Sequence, residues 1–144
     1  RVAVSSTGEV PLAELLKAGV RAQPDVAALA AVDGDRLFLF AWHYHDDEVP
    51  GPAATVEVSL EGLPDARSMR RVEYRIDRDH SNAHAAWQRM GSPAAPTPAQ
   101  MAALRRAGQL ESMGAAAAVP VSNGRATIQL QLPRQSVSLT ELRW

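Results

Sequence analysis

The sequence predicts a mainly β protein, an antiparallel β-sandwich with a helical insertion at about residues 81–110 and a short N-terminal helix. β-prone segments follow one another at short spacing, and turn-forming pairs such as Asn123-Gly124 separate them. Most of these segments alternate apolar with polar residues, as strands with one buried face do. Two such sheets that pack over a shared core account for the pattern.

Strands account for much of the chain. We expect them at residues 26–32, 36–44, 55–61, 70–76, 115–121, 125–132 and 136–142. In the strands that are polar on one side, the apolar side is expected to face the core. This inward set comprises Val56, Val58, Leu60, Val72, Tyr74, Ile76, Val137 and Leu139. The strand at residues 36–44 is apolar on both faces, which predicts a central strand covered on both sides.

Helices are expected before the strands and in the insertion. Residues 11–20 form a short one, because Pro11 suits a first helical position and Gly19 can end the helix. Its apolar face comprises Leu12, Leu15 and Leu16. Within the insertion, Thr97-Pro98-Ala99-Gln100 has the capping-box pattern of a helix start, and a shorter helix is expected at residues 81–90.

Composition and charge exclude several classes of function. The chain has 15 basic and 16 acidic residues, and its basic residues are scattered, so we expect no nucleic-acid partner. It has no cysteine, and its apolar runs are far shorter than the roughly 20 residues of a membrane helix, so we expect no disulfide and no membrane partner. The compartment stays open between cytoplasm, which we favour, and periplasm. Because the sequence starts at Arg1 without methionine, we read it as the interior of a longer polypeptide.

A cluster of histidines and carboxylates closes the strand at residues 36–44. His43 and His45 lie two apart, which points both to one side of the strand, and Asp46 is adjacent, so a His/carboxylate metal site is one reading. His43 also falls on the face that carries Leu39, where a hydrogen-bonded core histidine is the commoner outcome. We therefore predict no metal and no cofactor. His43, His45 and Asp46 become candidates for a substrate rim or a domain interface.

The same cluster invites a second reading, the carboxylate pair of a retaining glycosidase, whose two groups lie about 5–5.5 Å apart. Asp46, Asp47 and Glu48 are sequence neighbours, and neighbours on an extended segment point to opposite faces. They do not form that geometry by themselves. We predict no catalytic residue in this chain.

Residues 77–93 are the other candidate site, because they concentrate polar and aromatic side chains in a short, protruding stretch. Its candidates for a substrate rim or a domain interface are Asp79, His80, Asn82 and Trp87. An indole ring beside imidazole, amide and carboxylate groups is suited to sugars, which stack on ring faces and hydrogen-bond through hydroxyls. The alternative is that Trp87 only docks the helix onto the sandwich. Both interpretations remain open at this stage.

Several longer motifs in these regions occur together. They are Trp42-His43-Tyr44-His45-Asp46-Asp47-Glu48, Tyr74-Arg75-Ile76-Asp77, Asp79-His80-Ser81-Asn82 and Leu132-Pro133-Arg134-Gln135-Ser136. Through them the chain resembles the C-terminal β-sandwich of glycoside hydrolase family 39, the bacterial β-xylosidases, from about Gly8 to its end. The resemblance implies a (β/α)₈ barrel ahead of the sandwich. It also implies retaining hydrolysis of β-xylosides by the whole enzyme, without a metal or organic cofactor.

The resemblance further implies an acid/base glutamate that directly follows an asparagine, and a nucleophilic glutamate on a later barrel strand. Here Asn82 precedes Ala83 and Asn123 precedes Gly124, so the acid/base motif is absent. A complete barrel needs about 250 residues. This chain has 144. The chain alone is therefore expected to be inactive, whereas its parent protein would be an enzyme.

We accordingly expect a non-catalytic domain that supports the barrel and contributes to its active-site rim. Residues 1–24 would be a linker and short helix after the barrel, and residues 25–144 would be the sandwich. The expected partners are the barrel and, through the parent, xylo-oligosaccharides. Apolar surface left uncovered on residues 38–44, and on the face of Leu12, Leu15 and Leu16, is expected to drive self-association.

A free-standing carbohydrate-binding module is the alternative, because such modules are also β-sandwiches with exposed aromatic residues. The chain has three Trp, two Tyr and two Phe, and four of these seven lie within residues 38–44. This concentration on a single strand favours a packing role over a flat row of sugar-binding rings.

Overall fold

The computed structural model describes residues 2–144, and strands make up most of its regular structure. Its helices are α1 (Leu12–Ala18), α2 (Ala83–Arg89) and α3 (Pro98–Ala107). Its strands are β1 (Asp25–Asp33), β2 (Arg36–Tyr44), β3 (Ala54–Glu61), β4 (Ser68–Ile76), β5 (Glu111–Ser112), β6 (Ala117–Pro120), β7 (Arg125–Leu132) and β8 (Ser136–Arg143). The predicted mainly β fold with a helical insertion is confirmed. Within residues 2–144, no helix has the length and apolar character needed to cross a membrane.

The strands form two antiparallel sheets. In the larger one, sheet A, the order is β1-β2-β8-β4, and both β5 and β6 pair with the far edge of β4. The smaller one, sheet B, consists of β3 and β7. Residues 133–135 carry the chain from β7 in sheet B to β8 in sheet A, and Gln135 in this turn has a φ of 61°. The two sheets pack as the layers of one sandwich.

Turn and capping residues explain where several elements begin. Asn123 and Gly124 have φ angles of 52° and 68°, which suit the predicted type I′ turn between β6 and β7. Thr97 heads the predicted capping box at the start of α3. Asn82 caps α2 by accepting the N–H of Ala85 at 2.9 Å, so this helix starts two residues later than predicted. The strand predicted at residues 115–121 is the shorter β6, and β5 was not predicted.

The hydrophobic core lies between the two sheets. Its buried members are Ala30, Leu37, Leu39, Ala41, Leu60, Met69, Val119, Ala126, Ile128, Leu130, Leu132 and Leu142. Val56 and Val58 of β3 pack against this cluster, as the alternation of that strand predicted. β2 supplies three of the buried residues and lies between β1 and β8, so its predicted central position is confirmed.

The orientation predicted for β4 and β8 is wrong: Met69 and Leu142 lie on the core side of these strands, but the apolar residues that were predicted to face the core do not. Residues that pair directly across a sheet share a face, and the register places the following polar residues on the core side: Arg71, Glu73, Arg75, Ser138 and Thr140. The residues expected inward lie on the opposite side: Val72, Tyr74, Ile76, Val137 and Leu139. A pattern rule takes the apolar side of a strand as its core side, and for β4 and β8 this rule gives the wrong side.

The second face of β2 also departs from the prediction. Phe40 is 38% exposed and Tyr44 is 47% exposed, so the expectation that both faces are covered is wrong. These residues lie on the same side of sheet A as the apolar residues of β4 and β8. On β4 and β8, unlike on β1 and β2, the core side therefore carries mainly polar residues.

The segment before β1 packs along the edge of sheet A. Gly8 forms a bridge with Val26 of β1, and Val10 is buried. Between this contact and β1, α1 exposes Leu12 and Leu16 to solvent. Its predicted apolar face is thus largely uncovered within the described residues.

Candidate functional site

Both predicted clusters lie at one end of sheet A. β2 and β4 each run antiparallel to β8, so both strands end where β8 begins. In the register, His43 pairs with Ser136, and Ile76 pairs with Val137. The segments that follow β2 and β4 therefore leave sheet A at the same end. We call this region, comprising residues 43–47, 77–82 and 133–136, the rim.

His43 joins the two sheets beneath the rim. It is buried, and its Nδ1 lies 2.9 Å from the carbonyl oxygen of Leu132 at the end of β7. Because a carbonyl only accepts, Nδ1 carries the proton and donates. This contact ties β2 in sheet A to β7 in sheet B, which is a structural role.

His45, two residues after His43, is also buried, and both of its ring nitrogens form hydrogen bonds. Its Nε2 donates to the carbonyl of Arg21 at 3.0 Å, and its Nδ1 accepts the N–H of Asp47 at 3.0 Å. Gln135 clamps the backbone of the same residue, since its Nε2 donates to the His45 carbonyl at 2.6 Å. With both nitrogens engaged, His45 has no lone pair left for a metal ion. Among residues 2–144, no three potential metal-ligating side chains come together.

Asp46 anchors the segment that precedes β1. Its Oδ2 accepts the N–H of Val20 at 3.0 Å, and the Nε of Arg21 lies 3.6 Å from the same oxygen. A Cβ at Gly19 would stand 2.1 Å from this carboxylate, and Gly19 has a φ of 69°, so only glycine fits there. The charge of Asp46 also raises the pKa of the exposed Tyr44 phenol above its usual range, so Tyr44 stays neutral.

Asp77 organises the turn after β4. Its buried Oδ1 accepts the backbone N–H groups of Asp79 at 2.7 Å and of His80 at 2.8 Å, and the ring Nδ1–H of His80 at 2.9 Å. Burial raises the pKa of this carboxyl, but the hydrogen bonds outweigh it and hold the pKa below its usual value. Asn82 closes the turn by donating to the Asp77 carbonyl at 2.8 Å. The predicted candidates His80 and Asn82 thus both depend on Asp77, His80 on its carboxylate and Asn82 on its backbone carbonyl, and the sequence did not single out this residue.

His80 presents a partly exposed, oriented ring at the rim. Asp77 fixes one side of its ring through Nδ1, and the side chain is 33% exposed. Within the described residues its Nε2 makes no hydrogen bond to the protein. Asp79 beside it is exposed. A histidine oriented by a carboxylate can present Nε2 to a ligand hydroxyl in a fixed direction.

The indole ring of Trp87 is only partly available for stacking against a sugar. Its Nε1–H donates to the carbonyl of Pro93 at 3.0 Å, and the ring of His84 stacks on it with centroids 5.6 Å apart and planes at 29°. Its neighbours Ala85 and Ala86 are buried. One face of the indole is therefore occupied by His84, so a sugar could stack there only if His84 moved.

Two polar groups, the buried Asp25 and the partly buried Glu73, were missed by sequence reasoning. Asp25, at the start of β1, accepts the Val10 N–H at 2.7 Å and the Trp42 Nε1–H at 2.7 Å. Nothing in the local sequence signals that pairing. Glu73 accepts hydrogen bonds from two guanidinium groups and a hydroxyl, and its partners are Arg71 at 2.6 Å, Arg75 at 2.5 Å and Ser138 at 3.0 Å. The alternate spacing of the charges at positions 71, 73 and 75 was a usable signal, because it puts all three on one side of a strand.

The outer face of sheet A was predicted only in part, as uncovered apolar surface on residues 38–44. Its directly paired residues form three rows across β1, β2, β8 and β4: Ala27, Trp42, Val137 and Ile76; Leu29, Phe40, Leu139 and Tyr74; Ala31, Phe38, Glu141 and Val72. All but Glu141 are apolar or aromatic. At the rim end of this face, Phe40, Trp42, Tyr44 and Val137 line most of an open hollow of about 300 Å³.

Known structures share this fold. The chain resembles an enzyme of glycoside hydrolase family 39 from Xanthomonas axonopodis pv. citri, at 20% identity and a TM-score of 0.68 over 84% of this chain and 28% of that one. It resembles a bacterial orthologue of human α-L-iduronidase at 23% identity and a TM-score of 0.67, over 82% of this chain and 22% of that one. A monomeric β-xylosidase from Caulobacter crescentus CB15 gives 24% identity and a TM-score of 0.60, over 81% of this chain and 26% of that one.

This chain therefore spans about a quarter of the length of the solved enzymes that it matches. At these identities the likeness establishes the fold. None of the curated proteins matches the chain. The sequence model of the family described as "Glycosyl hydrolases family 39" matches residues 18–125, well over half of the chain. The resemblance carried by the motifs is thereby confirmed, and this chain belongs to glycosyl hydrolases family 39.

Proposed function

We propose that this chain is a non-catalytic β-sandwich domain of a β-xylosidase-type glycoside hydrolase, and that it supports the catalytic (β/α)₈ barrel of its parent through the outer face of sheet A. The observation that carries this proposal is the inversion of β4 and β8, which turn Ser138, Thr140 and Glu73 toward the core and Leu139 and Tyr74 away from it. A domain that functioned alone would gain stability from the opposite arrangement, because apolar burial drives folding.

The size of the outer face fits a docking surface. Four strands spaced about 4.8 Å apart and three rows spaced about 6.8 Å apart cover on the order of 400 Å². Isolated soluble domains rarely expose larger continuous apolar patches, and such patches are often functional. A stable protein interface buries about 800 Å² on each partner, with an apolar centre and a polar edge. The outer face can supply that centre, and Glu141 with Arg36 begins the polar edge.

The chemistry of the chain is consistent with a supporting role. The asparagine–glutamate pair that resembling enzymes use for acid/base catalysis is absent, since Asn82 and Asn123 precede Ala83 and Gly124. Two carboxylates of the rim serve the fold: Asp46 accepts the Val20 amide, and Asp77 organises its own turn. We assign the parent enzyme the retaining hydrolysis of β-xylosides, and assign no catalytic group to this chain.

Calorimetry of the full-length parent enzyme tests the docking. Barrel and sandwich are expected to unfold in one coupled transition. Leu139→Asp puts a charge in the middle row of the outer face and is expected to separate the transition into two, because an unpaired charge cannot be buried cheaply. Thr127→Asp is the matched control, since Thr127 is exposed on the solvent side of sheet B. Circular dichroism of the isolated Leu139→Asp domain checks that it still folds. A single coupled transition in the variant would overturn the proposal.

We further propose that the rim contributes to the substrate cleft of the parent, with His80 as its hydrogen-bonding group. Its support is the partly exposed His80 ring, held in one direction by Asp77. In the full-length enzyme His80→Ala is expected to lower kcat/KM by about tenfold, as loss of one charge-assisted or neutral hydrogen bond does. Trp87→Ala is expected to lower the melting temperature instead, because His84 and Pro93 already engage its ring. Unchanged kinetics in both variants would remove the rim from substrate recognition.

A carbohydrate-binding module is the second candidate, and the hollow beside Phe40, Trp42 and Tyr44 is the observation that favours it. Aromatic rings around a shallow concavity suit a pyranose. Calorimetric titration of the isolated chain with xylo-oligosaccharides separates the two functions. Millimolar or tighter binding that Trp42→Ala abolishes would support the module. Self-association of the isolated chain in sedimentation, lost in Leu139→Asp, supports the docking face.

A further inference from the structure

The tight turn that joins β6 of sheet A to β7 of sheet B carries an asparagine–glycine pair, Asn123-Gly124. Ser122 and Arg125 close the turn, because each donates its backbone N–H to the carbonyl oxygen of the other, at 2.9 and 3.0 Å. Both central residues have positive φ angles, as a type I′ turn requires. β7 runs from this turn to Leu132, which precedes the rim residues 133–136. The turn therefore lies at the end of the sandwich opposite the rim.

The side chain of Asn123 is free to rotate, in contrast to that of Asn82, the other asparagine of the chain. Asn123 is exposed, and within residues 2–144 its carboxamide forms no hydrogen bond. The carboxamide of Asn82 accepts the N–H of Ala85 at 2.9 Å and donates to the carbonyl of Asp77 at 2.8 Å. Both ends of that carboxamide are thereby held, so the two asparagines differ in their freedom to react.

Gly124 places an unobstructed backbone nitrogen next to this carboxamide. Because glycine has no side chain, its nitrogen can approach the carboxamide carbon of Asn123 closely. The residue after Asn82 is Ala83, which has a Cβ and is the first residue of α2. A Cβ at Gly124 would stand 3.2 Å from the carbonyl oxygen of Leu63, and the φ of Gly124 is 68°. The turn therefore requires glycine at the position where glycine also makes the preceding asparagine reactive.

We propose that Asn123 is a site of spontaneous intramolecular deamidation, and that opening of the turn controls its rate. Hydroxide removes the proton of the Gly124 amide, and the nitrogen attacks Cγ of Asn123. The new N–Cγ bond replaces the bond to the carboxamide nitrogen, which takes up a proton from water and leaves as ammonia. Water then opens the resulting five-membered succinimide. Cleavage at Cγ gives aspartate at position 123, and cleavage of the original peptide bond gives isoaspartate.

The closed turn keeps the reacting atoms apart. The nitrogen of Gly124 reaches Cγ only after the peptide between the two residues rotates about the Cα–C bond of Asn123, away from the backbone angles of a type I′ turn. That rotation separates Ser122 from Arg125. It also breaks the hydrogen bond in which Leu63 donates its N–H to the Gly124 carbonyl at 2.9 Å. The reaction therefore proceeds from a locally opened state, and its rate follows the population of that state.

The two products affect the turn differently. Aspartate keeps the backbone unchanged and, like asparagine, tolerates a positive φ. Isoaspartate routes the chain through the side-chain carbon, which adds one methylene group to the backbone of a loop that has only two central residues. Ser122 and Arg125 then no longer face each other in the same register. Ala126, which follows directly, is buried, so the isoaspartate form is expected to disturb the start of β7.

Ageing of the 144-residue chain tests the inference. Folded and urea-unfolded samples are kept at mildly alkaline pH and sampled over time. Trypsin separates the two asparagines, because Asn82 falls in the peptide of residues 79–89 and Asn123 in the peptide of residues 107–125. Chromatography with mass spectrometry then measures asparagine, aspartate and isoaspartate at each position. Gly124→Ala in urea, where the turn is absent, is the control for the nucleophile and should react more slowly than wild type.

We expect both products at position 123 in the folded sample, while Asn82 in the same sample stays intact. The folded chain should react about ten- to a hundredfold more slowly than the unfolded chain, because a few backbone hydrogen bonds must open first. Equal rates in the two samples would overturn the control by the turn. A folded rate more than about a thousandfold below the unfolded rate, or equal reaction at Asn82, would overturn the assignment of the site.

Thermal unfolding tests the difference between the two products. Asn123→Asp, freshly prepared, is the matched control, because it carries the new charge on an unaltered backbone. Its melting temperature should stay close to that of the wild type. Aged chain in which isoaspartate has accumulated should melt about 3 °C or more below this control. Equal melting temperatures would show that the turn accommodates isoaspartate and would overturn the predicted disturbance of β7.

Discussion

The two faces of sheet A differ in where they place polar and apolar side chains. Part of the core side is polar, and part of the outer side is apolar and exposed. On the core side, Ser138 and Thr140 are fully buried. On the outer side, Ile76 is 48% exposed. Adjacent positions of the same strands thus bury hydroxyls and expose hydrocarbon. The difference teaches that side-chain polarity along β4 and β8 does not follow burial within this chain, and the proposed docking of the outer face would account for it.

Polar residues are tolerated inside because most of them are satisfied. Glu73 sits between the guanidinium groups of Arg71 and Arg75 and accepts the Ser138 hydroxyl, so its charge is compensated on three sides. The network is nearly complete, not wholly so, because the hydroxyl of Thr140 and the Nε of Arg75 are buried without partners in the described residues. Such a network is costly to disturb, since each member depends on the others.

Removing the central carboxylate should therefore have the largest effect. Glu73→Ala leaves two mostly buried guanidinium groups without their partner, which costs about 3–5 kcal/mol of unfolding free energy. Chemical denaturation of the isolated chain measures it. Glu141→Ala is the matched control on the outer face, where the carboxylate is 4.0 Å from Arg36. That change should cost less than about 1 kcal/mol. Similar losses for both glutamates would show that the core-side network is not special.

Two leucines on β8 compare the faces directly. Leu142 is fully buried on the core side, and Leu142→Ala should cost about 2–5 kcal/mol through lost burial and the cavity left behind. Leu139, three positions earlier, lies on the outer face. Leu139→Ala should cost the isolated chain less than about 1.5 kcal/mol, because part of its side chain already meets solvent. Urea titrations of both variants give the two losses of unfolding free energy and their ratio. Equal costs would mean that the outer face behaves as core.

The sequence was sufficient where local rules decide the structure. The capping box at Thr97 and the turn at Asn123-Gly124 specify their own geometry within a few residues, and both were predicted. The alternation of β3 also gave the correct inward set, because its polar side meets only solvent. The alternation of β4 and β8 gave the wrong set, since the rule assumes that the apolar side faces this chain's own core.

The candidate site was predictable in its residues and not in its assembly. His45 and His80 were singled out by their local chemistry. That both lie in one rim follows from β2 and β4 each pairing with β8, a strand from the far end of the chain. Such long-range pairing leaves no local signature. The role of Asp77 was missed for a related reason, because its function depends on a backbone turn that forms only after the strand ends.

The Asp77 turn gives a pH-dependent prediction of intermediate size. Asp77→Asn removes the charge that holds three N–H donors, which should cost about 1.5–3 kcal/mol at neutral pH. Because the folded state lowers the pKa of Asp77, its contribution is fully present above the unfolded value of about 3.9. The contribution is then lost as the pH falls through the lower folded pKa. The gap between wild type and variant should therefore narrow below about pH 4.

Denaturation curves from pH 7 to pH 3 follow this gap. Asp79→Asn is the control, since Asp79 is exposed and enters the turn through its backbone N–H. It should change the unfolding free energy by less than about 0.5 kcal/mol at any of these pH values. A gap between wild type and Asp77→Asn that stays constant down to pH 3 would rule out the charge of Asp77 as the stabilising group.

The smallest expected effect on stability is the most informative about the outer face. Phe40→Ser replaces a ring that is 38% exposed in the middle row, where the isolated chain gains little from it. We expect the unfolding free energy to change by less than about 1.5 kcal/mol, while binding of a hydrophobic dye and self-association both fall. In the full-length enzyme the same substitution should lower the cooperativity of unfolding, because the ring is then part of an interface. A loss of several kcal/mol in the isolated chain would instead make Phe40 a core residue and would count against the proposed docking of the outer face.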